Sequence, residues 1–151
     1  MAHSILLAVR PDERATATLE TAAWLARDLG ASITLLYVAV ELSTAPQVAN
    51  ATGIAEDAAR ERMLEEVMRQ IEALVRKRLA GLDITVQVEE GDIVERIMAV
   101  AAATGASLLV VGTHGRTAAS RLVLGDITDD VLKAAPCPVV VVPRPRGPSE
   151  A

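Results

Sequence analysis

Ser107-Leu108-Leu109-Val110-Val111-Gly112-Thr113-His114-Gly115-Arg116 joins two signals in one short stretch. Its first half is apolar without alternation, which reads as a strand covered on both faces, as strands are in a parallel sheet flanked by helices. Its second half sets two glycines three residues apart, where the strand should end. Glycines at that spacing let backbone N–H groups approach an anion closely. The stretch therefore predicts an interior parallel strand that ends in an anion-binding loop.

Strand-length apolar runs recur outward from this point. They lie at Ser4 to Val9, Ser32 to Ala39, Asp83 to Glu89, Ser107 to Gly112 and Pro138 to Val142, with helical periodicity between them. That alternation predicts βαβ units closing one parallel sheet. Leu19, Ala22, Ala23, Ala26 and Leu29 share one helical face, and Gly30 stands where a left-handed C-terminal residue belongs. A long second helix carries the stripe Leu64, Val67, Met68, Ile71, Leu74, Val75 and Leu79. Asp92 and Glu95 form a capping-box pair that opens a third helix through Ile97, Met98 and Ala101. A fourth helix is expected to start near Asp126, to carry Ile127, Val131, Leu132 and Ala135, and to stop at Pro136.

The third strand alternates Ile84, Val86, Val88 with Thr85, Gln87, Glu89, which marks an edge, whereas the first and fourth are apolar on both faces. With right-handed crossovers, the simplest arrangement is a doubly wound five-stranded parallel α/β sheet of order 3-2-1-4-5 with helices on both faces. Strand order reverses between strands one and four. Ligands of such sheets bind outside the carboxyl ends of the strands at the reversal, here just after Val9 and Val111.

The totals narrow the function. The 151 residues suit one domain, expected over residues 1–143, with 144–151 as a flexible tail. Net charge is −5, Phe is absent, and Trp24 and Tyr37 are the only aromatics. Such a chain has neither the basic footprint nor the stacking surface for nucleic acid, and no charge pattern for an anionic membrane. No apolar run reaches the roughly 20 residues of a spanning helix. Cys137 stands alone and the start Met1-Ala2-His3-Ser4 has no signal-peptide pattern, so the expected location is cytoplasmic.

Gly112, Gly115 and Gly125 give the pattern Gly-x2-Gly-x9-Gly, with Ser120-Arg121-Leu122-Val123-Leu124 before the last glycine and Ala135-Pro136-Cys137-Pro138 leading into the valines of the last strand. Gly125 is expected to place the N-terminus of the fourth helix beside the loop, where free N–H groups and the helix dipole favour phosphate. In glycine spacing, strand order and terminal strand the chain resembles the universal stress protein family over essentially the whole domain. Two other phosphate signatures are missing: no Gly-x4-Gly-Lys-Ser/Thr loop and no Gly-x-Gly-x-x-Gly after the first strand.

The resemblance implies a dimeric, non-enzymatic stress module that binds ATP, magnesium arriving with the nucleotide. In the family's ATP-binding branch the adenosine lies against the ends of strands one and two, and the phosphates rest on the glycine loop. The corresponding positions are Ala8, Val9 and Arg10, then Val38, then Gly112, Thr113, Gly115, Gly125, Asp126, Ile127 and Thr128. Two depart from that branch: Arg10 replaces Asp, and Asp126 replaces a Ser or Thr. A carboxylate at Asp126 repels phosphate, although Asp is also a favoured helix N-cap. The alternative function is a dimeric interaction protein that binds no nucleotide, Arg10 and Asp126 pairing to fill the phosphate subsite. Arg10 could instead turn toward a bound phosphate.

Other residues have plainer expectations. His114 lacks an evident carboxylate to orient it and reads as a structural hydrogen-bonding group. Cys137 reads as a small buried hydrophobe, and Trp24 and Met98 as packing. Arg116 and Arg121 could meet phosphate, but solvent is their default. His3, His114 and Cys137 are too scattered for zinc. Residues 41–52 read as a long connection, either a slack surface loop or a lid. Val139 to Val142 would be an unpaired apolar edge, which antiparallel pairing with a second copy would cover, giving a homodimer.

Overall fold

The computed structural model describes residues 2–113 and 121–143, together with the side chains of all of these except residues 13 and 121–127. Five strands form one parallel sheet: β1 (Ser4–Ala8), β2 (Ser32–Val38), β3 (Ile84–Glu89), β4 (Leu108–Gly112) and β5 (Val139–Val142). Their order is β3-β2-β1-β4-β5, as the strand patterns predict. β1 pairs Leu7 with both Leu35 of β2 and Val110 of β4, so the interior strands are buried on both faces.

The period-two alternation of side chains divides the core into two layers. Ile5, Leu7, Ile33, Leu35, Tyr37 and Val110 face α1 (Thr16–Leu29) and α3 (Glu56–Arg78). Leu6, Leu36, Val38, Leu109 and Val111 face α4 (Ile93–Thr104) and α5 (Arg121–Ala134). α1 ends at Gly30, whose φ of 62° is the left-handed cap expected from its position. Asp92 caps α4 by accepting from the Glu95 backbone N–H at 2.9 Å.

Some expectations need correction. Residues 41–52 are not a loop: a 3-10 helix (Val40–Thr44) runs into α2 (Ala45–Thr52). Pro46 sits in the first turn, where its missing N–H costs nothing, Ala45 and Ala49 are buried, and Gly53 closes the helix at φ 74°. The helical stripes are narrower than they read. Leu29 and Leu64 are exposed, and so is Trp24, at 55%, so it is not core packing; Val67, Ile71 and Leu79 are the members of the α3 stripe that are fully enclosed. Met98 does pack against the α4/α5 layer. The residue 144–151 tail lies outside the described residues.

α5 begins at Arg121, not near Asp126. Leu122, Val123 and Leu124 are compatible with helix, and an interior glycine costs only about 1 kcal/mol relative to alanine, so Gly125 does not stop helix formation. The helix is already formed at Arg121. Gly125 and Asp126 lie inside α5, and Asp126 is not its N-cap.

Candidate functional site

The carboxyl ends of β1, β2 and β4 open into a cleft of about 210 Å³ at the reversal of strand order. β1 ends where the Val9 N–H donates to the Leu36 carbonyl at 3.1 Å, and β4 ends where the Thr113 N–H donates to the Val142 carbonyl at 2.9 Å. These bonds tie β1 to β2 and β4 to β5 at the floor of the cleft. Ala8, Val9, Arg10, Val38, Gly112, Thr113 and Thr128, all expected at a ligand site, line this one cleft. Gly115 lies outside the described residues, as do His114 and Arg116. Gly125 belongs to α5, and nothing is described of the side chains of Asp126, Ile127 and Arg121.

The two walls differ. On the α4/α5 side the cleft is faced by Ile93, Ile97, Val38, Val111 and Val131, an apolar surface beside which Thr128 also lines the cleft. The opposite side is polar. Beyond β1 the chain makes a tight turn in which the Asp12 N–H donates to the Arg10 carbonyl at 2.9 Å. Asp12 Oδ1 accepts from the Arg14 backbone N–H at 2.9 Å, and Asp12 Oδ2 lies 3.6 Å from Arg10 Nε. Arg10 is thus engaged by Asp12 two residues on, in a pair exposed enough to be worth little by itself.

Tyr37, 4% exposed at the end of β2, directs its hydroxyl to the Glu41 carboxylate, 2.8 Å from Oε1. Burial first, and then this hydrogen bond, push the phenol well above its ordinary value and keep it protonated. The bond also ties the 3-10 helix to the sheet at the cleft's rim, where Val40 stands 44% exposed. Cys137 is half-buried, and burial raises its thiol, which argues against thiolate reactivity.

Gly112 owes its identity to space. A Cβ built on it would lie 2.5 Å from Thr18 Oγ1, the side chain that α1 drives against the end of β4. Thr18 is the sole buried polar residue of the described chain, 4% exposed. Thr18, Arg14, Asp12 and Tyr37 were not anticipated, nor were Ile93, Ile97 and Val131. Thr18 did leave a signal, since it interrupts the apolar face formed by Leu19, Ala22, Ala23 and Ala26. Among the described residues no group of His, Cys, Asp and Glu could hold a metal ion. None of the described helices is long and apolar enough to cross a membrane.

Comparison with known proteins agrees with this architecture. A 66-residue stretch is 38% identical to the universal stress protein MJ0531 of Methanocaldococcus jannaschii, covering 44% of this chain and 39% of that protein. The match thus spans less than half of that relative's length. The solved structure of MJ0577, from the same organism, aligns over 97% of this chain and 99% of its own, with TM-score 0.76 and 24% identity. The universal stress protein of Archaeoglobus fulgidus in complex with dAMP aligns over 94% of this chain and 98% of its own, with TM-score 0.61 and 18% identity. An Arabidopsis thaliana family protein with AMP bound gives 95% and 92%, TM-score 0.62 and 18% identity. At these identities the solved structures speak for the fold. The model of the universal stress protein family matches residues 1–143, and with that match, its sheet order and its glycine-ended fourth strand, the chain belongs to the universal stress protein family.

Proposed function

We propose that this chain is a dimeric stress-response module that binds an adenine nucleotide, ATP included, in the cleft at the ends of β1, β2 and β4, with little or no hydrolysis. The observation that carries this reading is the cleft's division into an apolar wall and a polar wall meeting at Gly112. A purine ring is planar and largely apolar, and suits the surface of Ile93, Ile97 and Val131. Ribose and phosphate suit the hydroxyls and guanidinium groups opposite. Two structural relatives bound to dAMP and AMP support the same ligand class. Magnesium, when a triphosphate binds, would arrive on its phosphates, where it neutralises charge.

Hydrolysis needs a group free to activate water. Asp12, the carboxylate among the described lining residues, is occupied by Arg10 and by the Arg14 backbone. For the dimer, the support is β5. Val139, Val140 and Val141 are only partly covered at the sheet's outer edge, and a second copy pairing there would close it.

Two measurements test the reading. Calorimetric titration of ATP into protein stripped of any nucleotide released by heat denaturation should give saturable binding, with no phosphate release over the same period. No binding and no released nucleotide would sink it, and binding that appears only in Asp126→Ser would select the interaction-protein alternative. Sedimentation at micromolar concentration should give a dimer, and a monodisperse monomer would remove that part.

A further inference from the structure

Thr18 lacks a bond that several helical threonines make. Thr21, Thr52 and Thr104 each donate to the carbonyl four residues earlier, at 2.8, 2.7 and 2.7 Å. Thr18 makes no such bond to Arg14, and no partner for its hydroxyl exists among the described residues, although the residue is only 4% exposed. Thr18 lines the cleft, and its Oγ1 stands 2.5 Å from the place a Cβ on Gly112 would take.

Just before α1, in the 3-10 segment Glu13–Ala15, stands Arg14, which borders the same cleft. Its neighbour Asp12 engages Arg10, and no acidic side chain among those described lies within ion-pair distance of the Arg14 guanidinium. A donor hydroxyl and a cation with no acidic partner among the described residues thus border one cleft, beside a strand end that has no Cβ. We propose that Arg14 and Thr18 form an anion subsite on the α1 side of the cleft, which receives a phosphoryl group of the bound nucleotide. This rests on the nucleotide reading above and adds to it a second point of phosphate contact, on the face of the sheet opposite α5. The guanidinium supplies charge-assisted donors and the threonine one directed donor.

The test compares AMP with adenosine in calorimetric titrations of wild type, Arg14→Gln, Thr18→Ala and Thr18→Ser, each first shown to melt as a folded protein. Hydrogen bonds to charged groups are worth on the order of tenfold or more in affinity. Arg14→Gln and Thr18→Ala should therefore each weaken AMP by about tenfold or more while adenosine changes less than about twofold. Thr18→Ser, which keeps the hydroxyl, should stay close to wild type toward AMP. A purely structural role would weaken both ligands alike, and that result overturns the subsite. So does AMP binding unchanged in both variants, or a wild type that binds adenosine as tightly as AMP; these leave the nucleotide reading standing. A wild type that binds neither ligand removes the nucleotide reading and the subsite together.

Discussion

The two walls of the cleft grow from opposite faces of one sheet, yet they are built by different rules. The α4/α5 wall is an extension of the core: Ile97 and Val131 are 3% and 1% exposed and continue the cluster of Leu6, Leu36 and Leu109. The other wall interrupts the core. α1 packs with Leu19, Ala22, Ala23 and Ala26, but its first turn presents Thr18, and the segment before it holds Arg10, Asp12 and Arg14. Packing is therefore the work of the first wall and polar recognition that of the second. Substitutions on the first should show mainly in stability, and on the second mainly in ligand binding.

The largest effect is expected at Ile97. Truncation to alanine removes buried methyl groups from the middle of α4 and should cost about 2–5 kcal/mol. In a chain of this size that lowers the melting midpoint on the order of 10 °C. Chemical denaturation of Ile97→Ala reads it directly, and a loss below about 1 kcal/mol would mean that this wall is not part of the core.

A smaller and more specific effect follows at the seam between the walls. Gly112→Ala should cost about 1–3 kcal/mol, the range for overpacking, because its new methyl meets Thr18 Oγ1. In a Thr18→Ala background that hydroxyl is gone, and the remaining neighbours, such as the Val142 carbonyl oxygen at 3.8 Å, are at ordinary contact. A double-mutant cycle should therefore show the Gly112→Ala penalty shrinking by more than about 0.5 kcal/mol when Thr18 is absent. Equal penalties in both backgrounds would mean that the glycine serves the backbone and not this contact.

How much of this was legible in the residues depends on the kind of signal each left. The sheet order could be read because burial writes itself into composition: Leu108 to Val111 are apolar throughout, Ile84 to Glu89 alternate, and a parallel sheet allows few other arrangements. α4 could be read because Asp92 and Glu95 are a local code for a helix start. α2 could not, since Pro46, Asn50 and Thr52 look like loop residues, and only the tertiary burial of Ala45 and Ala49 makes the segment a helix. The start of α5 was misplaced because Gly125 was weighed as a boundary when it is a tolerated interior residue. Within the site, the ends of β1 and β4 followed from topology, whereas Val38 and Thr128 came with the family resemblance. Thr18 and Arg14 followed from neither, because their meaning lies in the distance from α1 to β4, which no spacing in the sequence encodes.

Tyr37 gives the smallest and most conditional prediction, because it is packed at one end and polar at the other: its ring is core and its hydroxyl is bound to Glu41 at the rim. At neutral pH, Tyr37→Phe loses one hydrogen bond to a charged acceptor that water can partly replace, so the cost should be about 1 kcal/mol. Alkaline pH changes the comparison. The folded phenol holds its proton above its ordinary value of 10.0, through burial and through Glu41, whereas the unfolded chain releases it near that value. Above about pH 10 the folded state binds more protons than the unfolded state, and stability falls as pH rises. The contribution is complete below that pH and is lost with increasing alkalinity. Phenylalanine has no proton to hold, so the stability of Tyr37→Phe should fall less steeply there, and the gap between the two proteins should narrow. Paired urea titrations at neutral pH and above pH 10 measure this. Parallel decline of both proteins would show that the hydroxyl is open to solvent and that the rim is not tied to the sheet through Tyr37.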